Sequence, residues 1–157
     1  TAAATLRARR WTNAPAAELT PTAFAELGTT IAAEHGLGCS IISGEDLLQH
    51  GFGAIHAMGS GSPHPPALLD LRYLPNEPTA RVTLVGKGVT FDTGGLSMKS
   101  PSAMAGMRQD KAGAATVLAV MSVRSERCSS SRKLLRMQPG SRSKTSSSRI
   151  SSRLRMD

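Results

Sequence analysis

The stretch VGKGVTFDTGGLSMK, residues 85–99, followed four residues later by MAGMRQDKAGAATVLAVM, residues 104–121, decides how this chain is read. Just ahead of it, Arg81 to Val85 ends in a continuous apolar run of the kind that buried strands carry. Just behind it, Ala112 to Val123 is small and apolar and reads as a helix, with Asp110 as a negative N-cap or first-turn residue. Between strand end and helix start lie Lys87, Asp92, Lys99 and Asp110. In an α/β sheet that position is the crevice outside the carboxyl ends of the strands, where ligands bind. Two carboxylates gathered there suit Mg²⁺ or Mn²⁺ and are accepted by Zn²⁺. A lysine beside such an ion can give up its proton and serve as a neutral amine ligand, because the cation penalises a second positive charge. A second lysine that stays protonated can polarise a carbonyl oxygen. Spacing alone leaves a plainer alternative open, in which Asp92 is an Asx-turn residue, Asp110 a helix cap and both lysines solvated.

Working outward, Thr20-Pro21 predicts a helix start, with a capping hydroxyl and proline at the first helical position, and Phe24, Leu27 and Ile31 follow at helical spacing. Gly36 and Gly38 end it. Cys39 to Ser43 reads as a short β run, Ser43 to Gln49 as a short helical segment, and Phe52, Ile55 and Met58 as one or two further turns. The Gly-Ser-Gly-Ser run at 59–62 with Pro63, Pro65 and Pro66 is loop. Ala67 to Tyr73 and Arg81 to Val85 read as two strands separated by the Pro-Asn-Glu-Pro turn at 75–78. The order predicts an α/β fold, a mixed sheet flanked by helices.

Composition narrows the functional classes. A chain of 157 residues holds one domain's core. Aromatics are only 3% of it, so base-stacking surfaces are scarce. No run of 18 apolar residues and no secretory leader pattern is present, which predicts a cytoplasmic protein with no membrane partner. Cys39 and Cys128 form no CxxC, and neither a disulfide framework nor a thiolate zinc site is expected. The net charge of +8 is concentrated at one end. Residues 1–121 carry nine basic and nine acidic residues, whereas residues 122–157 carry ten basic residues, two acids and twelve serines. Such a composition cannot bury enough apolar surface to offset its ordering entropy, so 122–157 is expected to be a Ser/Arg-rich disordered basic tail. His35, His50, His56 and His64 include no HExxH and read as surface or helix-face residues. Arg7, Arg9 and Arg10 read as a solvated basic end, and Met98, Met104 and Met107 as core filler or the lining of an apolar pocket.

The two quoted stretches closely resemble the catalytic core of the leucyl (cytosol) aminopeptidases, in which a strand is followed by GKGxTFDxGG, a lysine seven residues after the aspartate, MxxMxxD and a small-residue helix. The segments NAPAAELTPTAFAE, GFGAIHAMGSGS and PPALLDLRY are similar to that family's approach into its catalytic domain, so the likeness spans about residues 11–121. The resemblance implies that Lys87, Asp92 and Asp110 are metal ligands and Lys99 the catalytic lysine. It implies two divalent ions, Mn²⁺ or Zn²⁺, activating a water that attacks the carbonyl of a peptide's free N-terminal residue. It also implies a peptide substrate and a homo-oligomer. The family completes its site with a later NTDAEGR segment that this sequence lacks, and it usually has proline where Ser100 follows Lys99. Residues 1–121 are therefore expected to be a partial, truncated catalytic domain of a metalloprotease, inactive alone. The chain starts at Thr1 rather than Met, and 122–157 is expected to be a reading-frame artefact. The alternative function is a non-catalytic remnant that binds polyanions or nucleic acid through its basic tail.

Overall fold

The computed structural model describes residues 2–78 and 80–123; the remainder of the basic tail, 124–157, lies outside the described residues, as does Cys128. In chain order the elements are α1 (Ala2–Asn13), α2 (Pro21–His35), β1 (Gly38–Ser43), α3 (Asp46–Gln49), α4 (Gly53–Gly59), β2 (Ala67–Arg72), α5 (Pro101–Met104), a 3₁₀ turn (Met107–Lys111) and a helix over 112–123, here α6. The class is α/β, as expected.

Most of the middle of the chain follows its local signals. Thr20 Oγ1 accepts from the Ala23 amide at 3.2 Å, Pro21 opens α2, and Gly36 closes it with the cap amide donating to the Ala32 carbonyl. The helix buries Ala25, Gly28, Ile31 and Ala32, a stripe at helical spacing made mostly of small residues. That stripe lets α2 approach the sheet closely, with Gly28 against the Leu69 side chain. Phe24 and Leu27 flank the stripe and are half-buried. The sheet pairs β1 with β2 antiparallel in the register Gly38↔Arg72 through Ser43↔Ala67. Leu47 of α3, fully buried, closes the end of this layer.

A second packing unit joins the two ends of the described chain. Ala115, Leu118, Ala119 and Ser122 form one buried stripe along α6. Ala4 of α1 is buried as well, and α1 packs on the 3₁₀ turn. The α1 helix was not anticipated from the sequence, although AAATLRARR is rich in Ala, Leu and Arg, the strongest helix formers. Nor is Arg7 only a solvated charge, because its guanidinium donates to Ser122 Oγ at 3.2 Å. Ser122 Oγ in turn donates to the Ala119 carbonyl at 2.7 Å, which satisfies a fully buried hydroxyl. Helical structure thus continues past Met121 to residue 123.

One expected strand is absent. Arg81 to Val85 forms no ladder with any described strand, and Val82, Leu84 and Val85 are exposed. An apolar run becomes a buried strand only when a neighbouring strand takes its amides and carbonyls and another layer covers its side chains. The described sheet has two strands, and they pair with each other and not with this run.

Candidate functional site

The site begins where that unpaired run meets α6. An added Cβ at Gly86 would lie 2.5 Å from the Gly113 carbonyl oxygen, and one at Gly113 would lie 2.9 Å from the Lys87 nitrogen. Only glycine on both sides allows the two backbones to touch. The Ala114 amide donates to the Lys87 carbonyl at 2.9 Å and fixes the contact. Lys87 therefore leaves its segment directly beside the 3₁₀ turn that carries Asp110. Its Nζ meets both carboxylate oxygens of Asp110, at 2.7 and 2.6 Å.

Asp92 is held by a different device. The Gly94 amide donates to Asp92 Oδ1 at 2.8 Å, which is an Asx-turn. Gly94 has φ 93°, and a Cβ there would lie 2.5 Å from the Ser97 carbonyl oxygen. The loop then doubles back, with the Lys99 amide donating to the Thr93 carbonyl at 2.9 Å. This return brings Lys99 Nζ to 3.4 Å from Asp92 Oδ2. Ser100 next caps α5, its Oγ accepting from the Ala103 amide at 3.3 Å with Pro101 in the first turn. The Ser-Pro pair is the same signal that starts α2 at Thr20-Pro21, and it gives a local reason for serine to follow Lys99.

Electrostatically the four residues form one cluster. The Asp92 carboxyl is held below the ordinary aspartate value chiefly by the Gly94 amide, with Lys99 and then Lys87 adding positive charge and partial desolvation opposing them. Lys87 thus acts on both aspartates. Asp110 does not cap α6, since its side chain is spent on Lys87. Asp92 is the Asx-turn residue that spacing alone allowed, and its second oxygen faces Lys99, a contact the sequence did not indicate.

The donor set fits a divalent cation through two hard carboxylates and the Lys87 nitrogen, which lies against Asp110 and whose charge reaches Asp92. No group of three His, Cys, Asp or Glu residues is gathered among the described residues, so any such site relies on lysine nitrogen as well. The histidines make other contacts: His56 Nε2 lies 3.3 Å from Glu45 Oε1, and His50 Nδ1 lies 2.8 Å from the Asp46 carbonyl. A cavity of about 500 Å³ lies nearby, lined by Asn13, Pro15, Ala16, Phe91, Ala105 and Arg108. None of the four charged residues lines it, so it is adjacent to the cluster and not its binding space. Met98 is exposed, whereas Met104 and Met107 are half-buried.

Lys111 escaped the sequence reading. It is fully buried and its Nζ donates to three carbonyls, those of Ala14 at 2.9 Å, Thr90 at 3.3 Å and Arg108 at 2.8 Å. Burial lowers its pKa, and the Arg108 charge adds to the effect. A lysine one residue after an aspartate carries no periodic or motif signal, because its partners lie up to 97 residues away.

Residues 6–135 match the model of the cytosol aminopeptidase family, catalytic domain. A protein of Desulforapulum autotrophicum named "Probable cytosol aminopeptidase" is 44% identical over 120 residues, covering 76% of this chain and 23% of that protein. The structure of a leucyl aminopeptidase from Trypanosoma cruzi superimposes with a TM-score of 0.77 at 36% identity, over 80% of this chain and 25% of that one. A bottromycin maturation enzyme in complex with Mn gives a TM-score of 0.73 at 39% identity, over 81% of this chain and 28% of that one. The chain thus spans about a quarter of the length of these relatives. With most of its residues matched by the family model and its fold shared with leucyl aminopeptidases, the chain belongs to the cytosol aminopeptidase family, as part of the catalytic domain.

Proposed function

We propose that residues 85–111 carry part of the centre of a metal-dependent aminopeptidase, with Lys87, Asp92 and Asp110 as the ligands of a divalent cation and Lys99 as the catalytic lysine. The observation that carries this reading is the gathering of two acid–lysine pairs, Lys87 with Asp110 beside the Gly86–Gly113 contact and Lys99 with Asp92 in the Gly94 turn, with the Lys87 charge acting on Asp92 as well. The whole protein's reaction is then hydrolysis of the N-terminal residue from a peptide, in the cytoplasm, as the names of the relatives suggest. A bound cation, Mn²⁺ or Zn²⁺, supplies Lewis acidity and a stronger water nucleophile at neutral pH. The ligands of a second ion and a homo-oligomeric assembly belong to the same proposal.

The chain's own residues divide the work. Asp92 stays ionised at neutral pH because the Gly94 amide and the two lysines favour its charged form. Lys87, whose Nζ lies against both Asp110 oxygens, would hold the cation through its nitrogen together with Asp92 and Asp110. Lys99, beside Asp92 at 3.4 Å, is placed to donate to an oxyanion that develops on a substrate carbonyl. The polyanion-binding alternative rests on the basic tail, nearly all of it outside the described residues, and no described feature favours it.

Isothermal titration of the 157-residue chain with Mn²⁺ tests the ligand assignment. Asp92→Asn and Asp110→Asn are each expected to weaken binding by about tenfold or more, since loss of mere outer-shell partners already costs that much. Lys99→Ala is expected to leave Mn²⁺ binding nearly intact, and in a full-length relative the matching change should abolish leucine-amide hydrolysis. Unchanged Mn²⁺ affinity in both aspartate variants would sink the ligand assignment.

A further inference from the structure

We propose that Lys111 is a positioning residue of the cation centre: its buried ammonium clamps the loop that carries Asp92 to the turn that carries Asp110. This inference rests on the reading of Lys87, Asp92 and Asp110 as ligands.

The three protons of the ammonium match three carbonyls, so its donor capacity is used in full. Those carbonyls are not a random set. Thr90 stands two residues before Asp92, Arg108 stands two residues before Asp110, and Ala14 follows the last residue of α1. One nitrogen therefore ties together both ligand-bearing segments and the helix packed behind them. On the other side of the cluster the Gly86–Gly113 contact and the Ala114 amide fix Lys87. Lys111 supplies the corresponding constraint for Asp92, whose loop is also closed on itself by the Gly94 and Lys99 amides.

Energetics favour this role over simple space-filling. A fully buried cation with no carboxylate among its hydrogen-bond partners is costly, and an unbranched apolar side chain of similar length fills the same volume without desolvating a charge. What an apolar side chain cannot do is hold three carbonyls from three segments at one point. Ligand groups set by such a clamp bind an ion without first spending free energy on ordering the loops.

Lys111→Met removes the clamp while keeping the volume, and Lys111→Gln restores two of the donors. Two measurements on the 157-residue chain, both well below its thermal transition, separate positioning from general stability. The first is Mn²⁺ affinity by calorimetry, expected to fall at least tenfold in Lys111→Met and to recover in part in Lys111→Gln. The second is amide hydrogen exchange. Exchange at the Gly94 and Lys99 amides is expected to speed up at least tenfold in Lys111→Met, with the amides of β1 and β2 unchanged. If Lys111→Met does not fold, Lys111→Gln against the parent chain serves for the same comparison. Unchanged exchange at Gly94 and Lys99, or equal acceleration in β1 and β2, overturns the clamp. If the parent chain binds no Mn²⁺, the ligand reading fails by itself, and the exchange pattern alone then decides whether Lys111 holds the two segments together.

Discussion

The α2–β1–β2 layer and the unit formed by α1, the 87–111 loop and α6 are built on opposite plans. In the first, partners are close in sequence or joined by one antiparallel register, and the side chains that matter are small or aliphatic: Ala25, Ile31, Ala32, Leu47. In the second, the decisive contacts span 115, 97 and 23 residues and run through polar groups: Arg7 to Ser122, Lys111 to Ala14, Lys87 to Asp110. The first plan makes a scaffold from apolar burial. The second assembles charged groups that burial alone would keep apart, and this is where the candidate chemistry lies.

The sharpest way to break the comparison is to cut matching leucines from both units. Leu47→Ala and Leu118→Ala remove side chains that are 0% and 2% exposed and are each expected to cost about 2–5 kcal/mol, read from urea unfolding. At temperatures where both variants stay folded, only Leu118→Ala should also weaken Mn²⁺ binding. Equal effects of both on Mn²⁺ affinity would show that the two units are not separable.

A smaller loss is expected from Gly86→Ala. Its new methyl would meet backbone, which cannot rotate aside, so a cost of about 1–3 kcal/mol is expected from overpacking. Gly61→Ala has open space around it and serves as the control, with a shift of at most about 0.5 kcal/mol. Crystallography or NMR of Gly86→Ala should show Lys87 drawn away from Asp110.

The smallest expected effect concerns pH. Asp92 has a folded pKa below its unfolded value, so it contributes stability that is present above about pH 4 and is lost as pH falls through the folded value. Urea midpoints measured from pH 7 down to pH 2 should therefore fall less steeply at the acid end in Asp92→Asn than in the parent chain. Parallel curves would remove Asp92 from the list of groups that couple this loop to protons.

The same contrast explains what could be read from the residues alone. Thr20-Pro21, Gly36 and the apolar-rich run from Ala67 act on their immediate neighbours, and the structure places α2 and β2 where they indicate. The four charged residues were legible as a set through their motif and through their place between an apolar run and a small-residue helix. The reason for that place was not, because Arg81 to Val85 is no strand here and the loop is set by glycine contact instead. Lys111 and Ser122 were illegible for one shared reason. A buried polar side chain is identified by what it touches, and their partners include Ala14 and Arg7 at the far end of the chain. The Ser100-Pro101 cap, by contrast, was legible and was missed.

The exposed run at Val82, Leu84 and Val85 has a consequence for the life of these residues in a cell. Apolar side chains exposed in a row outside any ladder are what heat-shock chaperones grip and what drives chains to self-associate. While those three side chains are exposed, the run would offer such a handle a few residues upstream of Lys87. Its abundance would then depend on how quickly the run is covered as well as on how stably the two units fold.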